Sequence, residues 1–251
     1  MNEQITLFDM TRKPYQINKP IRLIELFAGY GSQAMALRNI GADFEHYRVV
    51  EFDKYAIASY NAIHGTDFPA IDIKDVKGGD LGITDKDKYT YLLTYSFPCT
   101  DISIAGRQAG FEENSGTRSS LLWEVKRILN ELKETDSLPD VLLMENVTAI
   151  HQQGNVKHFQ KWIDFLDSIG YSNYVEDMNA ADYGIPQHRE RTFMVSILGE
   201  YNYKFPHPIE LTTCLEDYFE DLTEEEAMKQ IVKSSKAMDL LVKLDEENKL
   251  D

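Results

Sequence analysis

Cysteine is almost missing from this chain: Cys99 and Cys214 are its only two. One pair cannot build the disulfide framework of a small secreted domain or fill a cysteine-rich zinc site, so the sequence points to a reducing, cytoplasmic setting. The six histidines (His46, His64, His151, His158, His188, His207) show no recognised ligand spacing, so no metal is assigned. No apolar run approaches the roughly 18 residues of a membrane span. Met1-Asn2-Glu3-Gln4 has neither the basic flank nor the apolar centre of a secretion signal. Positive charge is scarce as well: 26 Lys and Arg stand against 42 Asp and Glu, for a net charge of −16. That balance excludes a chain that grips nucleic acid over its whole surface. Half of the excess is local, with 13 acids against 5 bases between Glu210 and Asp251. Internal repeats and low-complexity tracts are absent.

What is present is an alternation of short apolar strands with helical stretches, in a chain long enough to bury one substantial core. Residues 1–20 are polar, carry Pro14 and Pro20, and read as an N-terminal arm. From there strands are expected at Ile21–Phe27, Tyr47–Phe52, Ala70–Ile73, Tyr89–Phe97, Asp140–Met144, Tyr174–Met178 and Thr192–Leu198. Helices are expected at Ser32–Asn39, Lys54–Ile63, Leu121–Glu134 and Val156–Ile169. This order predicts an α/β fold with a mostly parallel sheet and helices on both faces, over residues 21–208. Residues 209–251 read as an acidic helical tail. Its charged helix spans Leu222–Leu244, where Glu224-Glu225-Glu226 suit the dipole of a first turn.

Three places carry chemistry. The turn Phe27-Ala28-Gly29-Tyr30-Gly31 follows the first strand, and its glycines let backbone approach a ligand at the N-terminus of the next helix. Glu51 lies about 20 residues on, where a carboxylate can take both hydroxyls of a ribose. Asp72 follows the third expected strand and can accept from an adenine amino group. This is an adenosine pocket, equally suited to a dinucleotide or to S-adenosylmethionine. Pro98-Cys99 ends the apolar run Tyr91–Phe97. A thiolate there can add to C6 of a pyrimidine, turning C5 into a nucleophile, and can leave again by elimination. Glu145, at the end of Leu142-Leu143-Met144, is placed to donate to the ring's N3, which requires a carboxyl that is protonated or shares a proton, and so is expected to be buried. Arg189 and Arg191 flank Glu190 and share one face of an extended segment; their forks suit a carbonyl oxygen or a phosphate. The loop from Thr100 to Ser120, with Gly106, Gly110, Gly116, Arg107 and Arg118, reads as a lid over an extruded base.

In this order and wording the motifs resemble the cytosine-C5 DNA methyltransferases, from about Ile21 to about Pro208. Leu26-Phe27-Ala28-Gly29-Tyr30-Gly31 looks like the family's first motif, Glu51-Phe52-Asp53-Lys54 like its second and Asp72-Ile73 like its third. The stretch Asn179–Gln187 leading into His188-Arg189-Glu190-Arg191 strengthens the match. The resemblance implies a Rossmann-like S-adenosylmethionine-dependent methyltransferase fold and S-adenosyl-L-methionine as cofactor. It implies that Gly29 and Gly31 form the cradle, Glu51 holds the ribose, and Phe52 packs on the adenine. Asp72 and Ile73 would read the adenine edge, Phe27 would lie near the sulfonium, and Pro98 and Leu121 would line the pocket. Cys99 would be the nucleophile, Glu145 its partner at N3, Arg191 the contact to O2, and Arg189 the residue ordering the loop nearby.

The match has gaps. Thr100-Asp101 stands where the family commonly has a glutamine after the cysteine. Phe205-Pro206-His207-Pro208 and Leu215-Glu216-Asp217-Tyr218 look like the lead-in to a target-recognition domain. Neither that domain nor the late Asn-containing motif that completes the family's cofactor pocket is recognisable. The recognition part is expected on a second polypeptide, or lost, or truncated away. The function expected is DNA cytosine-C5 methylation, of a restriction-modification or orphan type, in the cytoplasm of a bacterial or phage-infected cell, with DNA as partner. An RNA cytosine-C5 methyltransferase of the same architecture, or a non-catalytic cofactor- or partner-binding remnant, are the alternatives. A dinucleotide-dependent oxidoreductase explains none of the cysteine, glutamate and arginine pattern.

Overall fold

A computed structural model describes residues 12–99, 118–151, 154–231 and 235–246. They fall into two units, the first ending at Leu211 and the second beginning at Thr212. In the first unit the strands β2 (Ile21–Leu26), β3 (Phe44–Val50), β4 (Thr90–Tyr95), β5 (Val141–Asn146), β6 (Tyr171–Asn179) and β7 (Glu190–Leu198) form one sheet, in the order β3-β2-β4-β5-β7-β6. The first four strands pair in parallel, and β7 runs antiparallel between β5 and β6. The helices are α1 (Ser32–Asn39), α2 (Lys54–His64), α3 (Leu122–Glu134) and α4 (Val156–Ser168).

Strand alternation divides the core between the two faces. Leu26, Leu93, Tyr95, Leu142 and Met144 join the larger apolar cluster with Val125 and Leu129 of α3 and Phe159 and Trp162 of α4. Leu23, Leu92 and Val141 point the other way, where Ala34 and Leu37 of α1 cover them. Ile57 and Tyr60 of α2 pack with Ala28 and Val49. β4 is buried at all six positions, as a central strand covered on both sides must be. The α/β architecture expected from the sequence is therefore the one observed, a central sheet flanked by helices.

Local details differ. Ala70–Ile73 is not a strand. Ile71 makes one ladder-like bond, its N–H donating to the Glu51 carbonyl at 2.8 Å. Asp72 then accepts from the Lys74 N–H at 3.0 Å and bends the chain into a 3-10 turn, Ile73–Asp75. Part of the N-terminal arm is docked. β1 (Lys13–Pro14) pairs in parallel with β8 (Tyr201–Asn202), and Tyr15 sits edge-on to Tyr201 with ring centroids 4.9 Å apart. In the second unit the single expected helix is two, α5 (Glu224–Gln230) and α6 (Lys236–Glu246). Thr223 and Glu226 form a reciprocal capping box at the start of α5, and the backbone turns extended at Ile231. Among the described residues no helix is long and apolar enough to cross a membrane. Most of the expected lid, residues 100–117 including Arg107, lies outside the described residues.

Candidate active site

The turn after β2 is set by three left-handed residues in five: Phe27 at φ +57°, Gly29 at φ +57° and Gly31 at φ +82°. For a bulky residue such as Phe27 that conformation costs about 1–2 kcal/mol. The two glycines serve different ends. A Cβ on Gly29 would meet nothing within 4 Å, so its outer side is open to a ligand. A Cβ on Gly31 would stand 2.6 Å from Tyr60 Cε2 and closer still to His64, so there the glycine lets α2 pack against the turn.

Glu51, just past β3, is buried and pins the turn. Its Oε2 accepts from the Gly29 N–H and its Oε1 from the Asp53 N–H, both at 2.9 Å. An ionised carboxylate has about four acceptor positions, so capacity remains on its cavity side. Asp53 in turn caps α2 through the N–H groups of Tyr55 and Ala56. The cavity beside this loop is about 410 Å³ and is lined by Phe27, Glu51, Phe52, Asp72, Ile73, Pro98, Leu121 and Arg118, among others. Seven of the nine residues expected to bind cofactor thus line one space. Phe52 is 66% exposed and offers a free aromatic face. Open backbone at Gly29, one buried carboxylate and one exposed ring suit an adenosine-bearing cofactor in a pocket of the usual size.

A second cavity of about 620 Å³ shares Phe27 and Ser96 with the first and also includes Gly29. It opens between α1 and the far half of the sheet, past Thr94, Leu143, Glu145, Arg189 and Phe193. Gly31 lines neither space; its place is behind the turn. Cys99 is half-buried at the end of the described stretch that follows β4. Asn146 Nδ2 donates to the Phe97 carbonyl at 3.0 Å, which ties the backbone two residues before Cys99 to the residue after Glu145. Two residues span at most about 7 Å, so the thiol-bearing residue lies at the same edge of the sheet as Glu145. Ser119 Oγ donates to the Pro98 carbonyl at 2.7 Å and anchors the other end of the lid segment there.

Glu145 corrects one expectation. Its side chain is 25% exposed and not buried. Met144 and Leu142 take the packed side of β5, and alternation turns Glu145, with Leu143, toward the cavity. There its Oε1 meets Arg191 Nε at 3.1 Å. Arg191 also donates through Nη1 to the Glu190 carbonyl at 2.7 Å, so both its ends are fixed. Arg189 lines the same cavity as Glu145 and Phe193, and Phe193 is directly opposite Glu145 in the β5–β7 register. Sequence reasoning missed what lies under the turn: Glu25 of β2, buried and bonded to Tyr60 of α2. An acidic residue in the apolar second half of that strand was the available signal.

This central sheet flanked by helices is the fold of the S-adenosylmethionine-dependent methyltransferases. Within that class the chain belongs to the C-5 cytosine-specific DNA methylase family, whose sequence model matches residues 21–250. It is 34% identical over 249 residues to the type II methyltransferase M2.ScrFI of Lactococcus lactis subsp. cremoris, covering 80% of this chain and 68% of that protein. It is 38% identical over 202 residues to M.HhaI of Haemophilus parahaemolyticus, covering 78% of this chain and 56% of that protein. Among solved structures, the Entamoeba histolytica methyltransferase EhMeth superposes with a TM-score of 0.65 at 16% identity, over 83% of this chain and 62% of its own. The Spodoptera frugiperda DNMT2 structure gives 0.60 at 20% identity, over 81% and 61%. The chain therefore spans a little over half to two thirds of the length of these relatives.

Proposed function

We propose that this chain transfers a methyl group to C5 of a cytosine extruded from nucleic acid, through a covalent adduct between Cys99 and C6. The reading rests above all on the two cavities that share Phe27 and Ser96, one fitted to adenosine and the other bearing Glu145 and Arg189. When bound, S-adenosylmethionine supplies a methyl on a sulfonium. Glu51 would take the ribose hydroxyls with its remaining lone pairs, Phe52 would stack on the adenine, and Asp72 with Ile73 would meet the adenine edge. On the reacting side, the Cys99 thiolate adds to C6 and makes C5 nucleophilic. After C5 is alkylated, loss of its proton expels the thiolate and restores the double bond.

Glu145 is the group for N3. With Oε1 held by Arg191, Oε2 is left for the ring, and a proton shared between that oxygen and N3 would offset negative charge as the thiolate adds. Arg191, fixed beside it, then lies next to the pyrimidine's O2, and Arg189 orders the rim. A base still stacked in a helix cannot reach this site, so extrusion is part of the reading. The family is named for DNA. The sparse positive charge of this chain supports a separate polypeptide that supplies recognition and phosphate contacts, whether the cytosine lies in DNA or in structured RNA. On this reading residues 21–208 form the catalytic domain and 209–251 lead toward that recognition part.

The test is trapping. Full-length chain is incubated with S-adenosylmethionine and with 5-fluorocytosine placed in duplex DNA or in structured RNA, in parallel. Fluorine at C5 blocks the final elimination, so a complex stable to denaturation is expected with one of the two, and Cys99→Ala abolishes it. Adduct formed equally well without the thiol would sink the assignment of Cys99, and the arm that traps assigns the nucleic acid.

A further inference from the structure

Beneath the glycine turn lies a chain of polar groups that the proposed chemistry does not use. Glu25, on β2, is 1% exposed. Its Oε2 accepts from the Tyr60 hydroxyl at 2.5 Å, while its Oε1 is buried without a hydrogen bond of good geometry. The Tyr60 hydroxyl is also 2.6 Å from His46 Nδ1 on β3. One turn of α2 further on, His64 is bracketed. Arg38 of α1 approaches its Nδ1 at 2.6 Å, and its Nε2 lies 3.0 Å from the Tyr30 carbonyl in the turn itself. Arginine only donates, so Nδ1 of His64 accepts and its Nε2–H donates to the turn.

The position of Glu25 relative to α1 gives this cluster a purpose. The helix starts at Gly31, which has no side chain to cap it, so the first N–H groups lack the usual acceptor. Glu25 comes from the strand below, and the Ala34 amide in that first turn favours its ionised form. Burial acts more strongly in the opposite direction and pushes the carboxyl up to about 7. Burial also pushes the Tyr60 hydroxyl up, with Glu25 adding to it, and pushes His46 down, with the nearby His64 and Arg38 adding to that. The three groups therefore have two matched states. With Glu25 ionised, His46 Nδ1–H donates to Tyr60 and Tyr60 donates to the carboxylate. With Glu25 protonated, the carboxyl donates to Tyr60, Tyr60 donates to Nδ1, and His46 carries its own proton on Nε2. The Glu25–Tyr60 and Tyr60–His46 bonds persist in both, and the states differ by one proton.

We propose that Glu25 and Tyr60 are positioning residues for the cofactor turn, Glu25 acting as the missing cap of α1, and that cofactor binding selects the ionised state and releases a proton. The inference rests on the cofactor reading above. A ligand seated on the outer side of the turn needs α1's first turn ordered, and a negative charge at the helix start does that better than a neutral acid. If only the ionised form binds well, the dissociation constant for S-adenosylmethionine rises about tenfold between pH 8 and pH 6.

Calorimetry of the full chain with S-adenosylmethionine at pH 7, in two buffers of different ionisation enthalpy, counts the protons released. About half a proton per site is expected for wild type and none for Glu25→Gln, whose affinity is also flat with pH. Tyr60→Phe, which keeps the ring and removes the donor, moves the release to higher pH. In the unliganded chain, Glu25→Gln lowers hydrogen-exchange protection of the Ala34 amide, a readout independent of any ligand. Binding without proton release, or equal release from Glu25→Gln, or unchanged Ala34 protection, overturns the inference and leaves the cofactor reading standing. Absence of any binding at pH 8 overturns the cofactor reading itself, and this inference with it.

Discussion

On the face of the sheet that carries α3 and α4, Val125, Ile128, Leu129, Trp162 and Leu166 are wholly buried against Tyr95, Leu142 and Met144. On the opposite face α1 and α2 cover β2, β3 and part of β4, and beyond them a cavity of about 620 Å³ runs past Leu143 and Phe193. Ile40, at the end of α1, lines that cavity and is 78% exposed. The same strands pass through both layers, so the contrast lies in what covers them and not in strand sequence. One face is closed and supplies stability. The other is left open where Glu145, Arg189 and the glycine turn converge, since a site must keep concave, incompletely packed space.

The first way to break this comparison is at Trp162. It is fully buried, donates from Nε1 to the Tyr95 hydroxyl at 3.0 Å and packs edge-on to the same ring. Trp162→Ala should cost about 3–5 kcal/mol, seen as a large fall in the urea midpoint. A loss below about 1 kcal/mol would mean that the closed face is not where stability resides.

The closed face was also the legible one. The apolar periodicity of Leu121–Glu134 predicted a helix with Leu121, Leu122, Val125, Ile128, Leu129 and Leu132 on its apolar face, and all of these are buried except Leu121, which lines the smaller cavity. Helix periodicity reports burial against one neighbouring layer, and here that layer is complete. The glycine turn was legible too, because Gly29 and Gly31 leave a local mark in the sequence. What could not be read were distant polar partners: Glu51 reaching back 22 residues to Gly29, Tyr60 reaching 35 to Glu25, Arg191 holding Glu145. Such pairs leave no spacing signature, since the fold sets their distance. The burial expected for Glu145 failed for a related reason: alternation fixes which side of β5 it takes, but the sequence does not tell which side is covered.

The turn between the two faces offers an intermediate effect. Gly31→Ala meets both a left-handed backbone and collision with Tyr60, and should cost about 2–3 kcal/mol of stability. Gly29→Ala meets only the backbone strain, about 1 kcal/mol, because its Cβ would point into open space. Its effect should instead appear as weakened S-adenosylmethionine binding. Thermal unfolding and calorimetry of the two variants separate the glycine that packs from the glycine that faces a ligand. Equal melting temperatures would remove that distinction.

The smallest effect should come from Leu143. It sits between Leu142 and Met144, each fully buried on the α3–α4 face, yet its own side chain lines the open cavity. Truncating it removes methyl groups that already border empty space, so little further cavity is created and few contacts are lost. Leu143→Ala should therefore cost no more than about 1 kcal/mol, whereas truncation of a packed leucine or methionine costs about 2–5. Chemical denaturation of Leu143→Ala beside Met144→Ala makes the comparison within one strand, with the backbone held the same. If Leu143→Ala costs as much as Met144→Ala, something covers the open face in solution, and the space would belong to packing and not to a ligand.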